Sequence, residues 1–145
     1  MRRRHLLTLT VSSLVHAQTT RTVRVPLRFF NAKEAAVIAA AAARIFPSDA
    51  AGPGATEAGV VLFIDRQLAS RFGADRYRYT AGPFEDGPPE LGYQGKETPR
   101  ETYRQGLVLL DGFDTLDAAA QDEKLRQIEA TRFFRLLREH TIQGM

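Results

Sequence analysis

Residues 45–68 read IFPSDAAGPGATEAGVVLFIDRQL, and this stretch decides the fold. Pro47 ends a helical run, because a proline ring clashes with the preceding turn of a helix and offers no N–H. Gly52, Pro53 and Gly54 follow at once and disfavour a helix interior. The stretch therefore predicts the end of one helix, a stiff turn and the start of a second helix.

The segments on either side of this corner have helical patterns. Asn31 followed by Glu34 is typical of a capping box and predicts a first helix over residues 32–46. The second helix is predicted to begin between Pro53 and Thr56 and to run to Phe72, with Gly73 as its stop. Its inward stripe is expected to consist of Val61, Ile64, Leu68 and Phe72. Asp65 and Arg66 flank that stripe and are expected to face outward or to form an ion pair.

Three further helices are predicted in the second half of the chain. Thr98, Pro99 and Glu101 provide a cap, a first-turn proline and a first-turn acid, and predict a helix that ends before Gly112. A fourth helix is expected from about Asp117 through Ile128. A fifth is expected from about Thr131 through His140. The predicted fold class is therefore all-α, a single small domain of about five helices.

A long Gly/Pro/Tyr-rich loop separates the second and third helices, over about residues 73–97. It contains Tyr77, Tyr79 and Tyr93 among repeated glycines and prolines. Irregular segments of this length are usually functional or disordered. Disordered spacers contain few aromatic residues, whereas interfaces are enriched in them. Two interpretations remain open: an ordered loop that covers the domain's own helices, or a loop that binds a partner.

The N-terminal residues have the layout of an export signal. A basic start precedes a short apolar run and a small-residue cleavage pattern that ends at Ala17. Arg3 and Arg4 give it a twin-arginine character. Because the apolar run is too short to span a bilayer, it is expected to be a leader and not an anchor. The predicted organisation is a twin-arginine-like export signal at 1–17, an extended tether at 18–30 and a helical domain at 31–145.

Composition excludes several classes of function. The 145 residues suit one hydrophobic core, and the net charge of +3 comes from the leader arginines, without which 17 basic residues face 17 acidic ones. Nucleic-acid binding is therefore not expected. The chain has no cysteine, which excludes disulfides, thiolate metal sites and covalent haem attachment, and His140 is the only histidine beyond the leader.

Candidate catalytic groups are few. Asp49, Glu57 and Asp65 lie close together in sequence around the corner and could form a facing carboxylate pair. Each also has a structural explanation in a turn, a first helical turn or an ion pair. The glycines of the corner lack the remainder of a phosphate-binding motif, and no dinucleotide fingerprint is present. No catalytic, cofactor-binding or metal-ligating residue is predicted in this chain.

An ordered set of residues resembles the small subunit of membrane-bound gluconate 2-dehydrogenase, the subunit 3 or gamma family. The resemblance runs through the corner and its following helix, and then more weakly through two later groups, over roughly residues 29–145. The later groups are Tyr103, Arg104, Gly106 and Leu107, followed by Phe133, Phe134, Leu137, His140, Thr141 and Gly144. Family members usually continue into a further tail, so a truncated or short variant is expected here.

The resemblance implies a non-catalytic accessory subunit of a periplasmic dehydrogenase for sugars or sugar acids. Its partner would be a large subunit containing FAD, with a possible third subunit carrying several haem c groups, and contact with the membrane would be indirect. The small subunit would escort and stabilise the flavoprotein during twin-arginine export. The expected partner interface comprises Pro47, Asp49, Gly52, Pro53, Gly54, Glu57, Asp65, Tyr77, Tyr79 and Tyr93. The alternative is a self-sufficient periplasmic helical enzyme or small-ligand-binding domain.

Overall fold

A computed structural model describes residues 25–78, 81–85 and 87–145. Within these ranges the chain forms five α-helices, two short 3-10 turns and no strand, which confirms the all-α prediction. The helices are α1 (Ala32–Ile45), α2 (Val60–Ala69), α3 (Pro99–Leu109), α4 (Ala118–Gln127) and α5 (Arg132–Gln143). The 3-10 turns span Pro89–Leu91 and Phe113–Thr115.

Side-chain caps begin four of the five helices. Asn31 and Glu34 form a capping box at α1, and Thr98 and Glu101 form a second one at α3. Asp117 and Thr131 accept backbone hydrogen bonds at the starts of α4 and α5. The capping signals of the sequence therefore placed these starts correctly, because a cap depends only on residues within one turn.

The predicted bounds of the second helix were wrong at both ends. Helix α2 begins at Val60, because Gly59 adopts a left-handed conformation with φ of 69° and holds residues 55–59 in turns. The helix ends at Ala69, because Ser70 is extended and the side chain of Arg100 binds the carbonyl oxygens of Leu68 and Ala69 at 2.6 and 3.0 Å. The carbonyls of Leu68 and Ala69 are thus satisfied from α3, while the carbonyl of Gln67 accepts from the N–H of Gly73 at 3.2 Å, so Gly73 takes part in the stop just beyond the helix.

Helix α1 lies at the centre of the bundle. It contacts each of the other four helices and the second 3-10 turn, while α5 also packs on α2 and α3. Its buried side chains are Val37, Ile38, Ala41 and Ala42. Because two of these are alanines, neighbouring helices can approach its backbone closely. The core then continues through the buried residues Val60, Ile64, Leu68, Tyr103, Leu110, Phe113, Phe133 and Leu137.

None of the helices in the described part of the chain is both long and apolar enough to cross a membrane. The export signal at 1–17, including Arg3, Arg4 and Ala17, lies outside the described residues, as does most of the predicted tether at 18–30.

Candidate partner interface

The corner between α1 and α2 is held by backbone hydrogen bonds across its turn. The N–H of Asp49 donates to the carbonyl of Gly52 at 3.2 Å, and the N–H of Gly52 donates back to Asp49 at 3.3 Å. The Asp49 carboxylate also accepts from the N–H of Ala51 at 2.7 Å. The N–H of Ala55 reaches the carbonyl of Phe46 at 2.9 Å and closes the corner. Asp49 is therefore an internal acceptor of the turn.

Glu57 connects the two sides of the corner. Its carboxylate accepts from the hydroxyl of Ser48 at 2.6 Å and from the N–H of Gly54 at 3.1 Å. The Ser48 hydrogen bond is the largest cause of a lowered pKa of Glu57, with the backbone N–H groups adding to it. The ionised carboxylate is thus stabilised by the corner itself.

Gly54 is required by a close backbone approach. A Cβ atom at this position would overlap the main chain of Pro47 and Ser48, which cannot move aside without opening the corner. Gly52 has no such neighbour. The turn is therefore tightly packed on its inner side, while Pro47, Asp49, Pro53 and Glu57 are exposed on its outer side.

Asp65 does not face outward. Its side chain is fully buried, and its carboxylate accepts from the backbone N–H groups of Arg28, Phe29 and Phe30 at 2.9, 2.9 and 3.0 Å. Nη1 of Arg66 lies 3.6 Å from Oδ2 of Asp65, so the expected ion pair with a neighbouring arginine is confirmed. A buried carboxylate cannot touch a partner at the surface, and Asp65 instead fastens the segment before α1 to α2.

The charge of Asp65 is stabilised in its buried position. Burial by itself raises the pKa of this carboxyl group, but the three backbone N–H groups and the charge of Arg66 outweigh it and leave the pKa lowered. The carboxylate is therefore ionised in the folded protein at neutral pH.

The Gly/Pro/Tyr-rich loop is tied to the bundle at its two ends. The guanidinium group of Arg132 lies 3.3 Å from the ring centroid of Tyr93, and that of Arg78 lies 5.1 Å from it. Arg78 also donates to the carbonyl of Gly95 at 2.7 Å and pairs with Asp75. This group of contacts is named the arginine clamp. Part of the loop therefore covers the domain's own helices, as one of the two interpretations held.

The tyrosines of the loop differ in exposure. Tyr77 is 77% exposed and Tyr93 only 36%, since the arginine clamp covers part of the Tyr93 ring. Tyr79 lies outside the described residues. Of the predicted interface residues in the described part of the chain, the corner group lies together, Asp65 is buried and the two tyrosines belong to the separate loop surface.

Sequence reasoning missed a buried aromatic and histidine pair between α3 and α5. The Tyr103 hydroxyl lies 3.0 Å from Nδ1 of His140, and the two rings stack with their centroids 5.7 Å apart. Burial lowers the pKa of His140 from 6.5 to about 4, so the imidazole is neutral. Tyr103 also meets the ring of Phe133 edge-on. The only sequence signal was their common place in the two later groups of the resemblance.

Tyr103 and Gly106 of the first later group thus pack against Phe133 and His140 of the second. A Cβ atom at Gly106 would overlap the ring of Phe133, so this glycine lets α3 approach α5.

The described residues contain no group of three or more histidine or carboxylate side chains that could hold a metal ion. An open cleft of about 930 Å³ lies between α1, α4 and α5, lined by residues that include Arg138 and Ile142.

The fold defines a small all-α domain in which Gly106, Tyr103 and Phe133 pack in the interior. Its exposed features include a hydrogen-bonded corner and a clamped loop. The profile of the family described as gluconate 2-dehydrogenase subunit 3 matches residues 32–145. The chain therefore belongs to that family, which confirms the resemblance, and its family is that of a subunit in a multi-subunit complex. No curated protein and no solved structure matches the chain.

Proposed function

We propose that the protein is a non-catalytic accessory subunit that binds, stabilises and escorts a large FAD-containing dehydrogenase acting on a sugar or sugar acid. Family membership over residues 32–145 carries this proposal. It implies a complex, and the large subunit would supply the flavin and the substrate pocket. A third subunit with several haem c groups would take the electrons onward, and this chain would hold no cofactor of its own.

The geometry of the corner supports a docking role. Asp49 and Glu57 are both occupied by hydrogen bonds within the turn, and Asp65 is buried. The three acids of the enzyme alternative are therefore engaged in the fold and give that alternative no support. The outer side of the corner is exposed and preformed, which lowers the entropy cost of binding.

Export to the periplasm belongs to the same proposal. The leader-like sequence at 1–17 contains Arg3 and Arg4, and the twin-arginine route accepts folded cargo. A flavoprotein that folds around its cofactor before export could thus travel with this subunit. Replacing both arginines with lysine should leave the flavoprotein in the cytoplasmic fraction, and unchanged periplasmic flavoprotein would contradict the escort role.

Capture from the native host tests the binding claim. A tagged full chain is purified, and the absorption spectrum of the co-purifying protein is recorded. The proposal predicts a much larger partner with a flavin spectrum, with or without haem bands. Purification of the tagged chain alone, from a host that expresses the large subunit, would overturn the proposal.

A variant pair tests the corner as the docking surface. Ala51 is exposed on the corner, and its side chain makes no hydrogen bond, so Ala51→Arg should keep the fold but disturb a close contact. We expect at least about tenfold weaker capture, the loss typical of an important interface position. Gln105→Arg, at an exposed site on α3, is the matched control and should bind as the wild type does. Equal capture by both variants would remove the corner from the interface.

A further inference from the structure

The middle of the Gly/Pro/Tyr-rich loop carries exposed apolar side chains. Phe84 is 43% exposed and Leu91 is 69% exposed, so neither is fully used by the domain's own core. Glu85 and Glu90 lie beside them and are also exposed. These four residues are named the acidic tip. Phe84 and Leu91 line one open cleft together with Pro83 and Tyr93, and a contiguous apolar patch, unlike a single exposed side chain, is typical of a surface that binds a partner.

The charge of this part of the loop has one sign. Residues 79–95 contain three acidic residues and no lysine, arginine or histidine, whereas Arg78 and Lys96 stand just outside it. Within the described residues, neither Glu85 nor Glu90 forms an ion pair. A binding site that accepts this tip would therefore need to be apolar at its centre and basic at its edge, because complementary charges favour encounter and fix orientation.

The arginine clamp fixes the base of the loop segment that carries the acidic tip. Arg132 lies on the Tyr93 ring and donates to the carbonyl of Glu97 at 2.8 Å, which ties the loop's second end to the start of α5. At the first end, Arg78 pairs with Asp75 and reaches across to Gly95. The two ends of the loop are thus joined to each other, so less conformational entropy is lost when the tip binds.

We infer that the acidic tip inserts Phe84 and Leu91 into an apolar pocket, rimmed by lysine or arginine, on the large subunit. The inference rests on the proposed function and adds a second contact beside the corner. The corner and the loop are separate features of the surface, so the two contacts can be removed independently. The rim charges would interact with Glu85 and Glu90 and make binding depend on salt concentration.

The test compares three variants of the full chain by their affinity for the purified large subunit. The double variant Phe84→Ala/Leu91→Ala removes the apolar contacts, and we expect about 100-fold weaker binding, or about tenfold for each side chain. Glu85→Gln/Glu90→Gln should bind more slowly and show a weaker salt dependence than the wild type. Val108→Ala is the matched control, because Val108 is 76% exposed on α3 and should leave the affinity unchanged.

The outcomes separate this inference from the proposed function. If the wild type binds the large subunit and the Phe84/Leu91 variant binds equally well, the tip contact is wrong and the accessory role stands. If the wild type does not bind, both fail. If the purified wild type self-associates and the Phe84/Leu91 variant does not, the acidic tip binds a second copy of this chain, and the inferred partner is wrong.

Thermal unfolding followed by circular dichroism verifies that the variants are folded. The removed side chains are exposed, so the unfolding temperature should stay within a few degrees of the wild-type value. Weaker binding at an unchanged unfolding temperature supports the tip contact.

Discussion

Replacing Asp65 should destabilise the fold more than replacing any exposed acid. The carboxylate receives three backbone N–H hydrogen bonds of 2.9 to 3.0 Å from residues 28–30, and it lies 3.6 Å from Arg66. Asp65→Ala would leave those N–H groups without a partner where the Asp65 side chain is fully buried. Residues 28–30 would then either stay in place with backbone N–H groups that have no acceptor, or detach from α2.

The decrease in the free energy of unfolding depends on which of these two outcomes costs less. Hydrogen bonds to a charged group contribute about 1.5–3 kcal/mol each, but three bonds to one carboxylate are not additive. Detachment limits the loss, because water then satisfies the N–H groups while the buried ring of Phe30 is exposed at a cost of about 2 kcal/mol. We therefore expect Asp65→Ala to lower the free energy of unfolding by about 3 kcal/mol, the burial of Phe30 plus a net contribution of about 1 kcal/mol from the lost hydrogen bonds.

A graded variant distinguishes the hydrogen bonds from simple loss of volume. Phe29 and Phe30 donate to Oδ1 and Arg28 donates to Oδ2, so an asparagine carbonyl can keep two of the three bonds. Asp65→Asn should thus cost about 2 kcal/mol, less than Asp65→Ala. Asp114→Ala, at an exposed site without a side-chain hydrogen bond, is the control and should change stability by less than about 0.5 kcal/mol.

Two assays measure the effect. Urea unfolding gives the global free energy, and hydrogen exchange at the amides of residues 28–30 reports whether the segment detaches. Exchange there should accelerate by about 100-fold in Asp65→Ala, since each 1.4 kcal/mol is tenfold. Because the folded-state pKa of Asp65 is lowered, its stabilising effect is present above about pH 4 and is lost as pH falls through the folded-state pKa. An Asp65→Ala protein as stable as Asp114→Ala would refute the anchoring role.

Three other predictions concern buried contacts and can be measured by urea unfolding. His140 is neutral in the fold with a pKa of about 4, against 6.5 unfolded, so stability should fall by about 3 kcal/mol between pH 6.5 and pH 4. His140→Gln should flatten that pH dependence, and an unchanged slope would assign it to other groups. Gly106→Ala should cost about 2 kcal/mol, because overlap with the Phe133 ring outweighs the helix gain of about 1 kcal/mol. Gly54→Ala should cost about 2–3 kcal/mol, whereas Gly52→Ala, with open space at its Cβ, should be nearly neutral; equal effects would contradict the close approach at the corner.

The parts of the fold that depend on local chemistry could be predicted from the sequence. The capping boxes of Asn31 with Glu34 and Thr98 with Glu101 are formed within one turn, and both are present. The start of α2 was predicted too early in the chain, because local chemistry allows two conformations there. Gly59 could have continued a helix or adopted a left-handed conformation, since glycine accepts both, and in the fold it has a φ of 69°.

The parts that depend on distant residues could not be predicted. Asp65 looked like a surface acid beside an apolar stripe, because its hydrogen-bond donors lie 35 to 37 residues earlier in the chain. His140 had no visible partner for the same reason, since Tyr103 is 37 residues away on another helix. Single-sequence patterns describe each helix face but do not say which other face will cover it.

Multiwavelength sedimentation of the tagged chain mixed with the purified large subunit shows whether the chain is a subunit of the flavoprotein complex. We expect the small chain to sediment together with the flavin absorbance as one faster species of fixed stoichiometry, and the chain alone to show no visible absorbance. A small chain that sediments separately from the flavin at every concentration would contradict the accessory-subunit role.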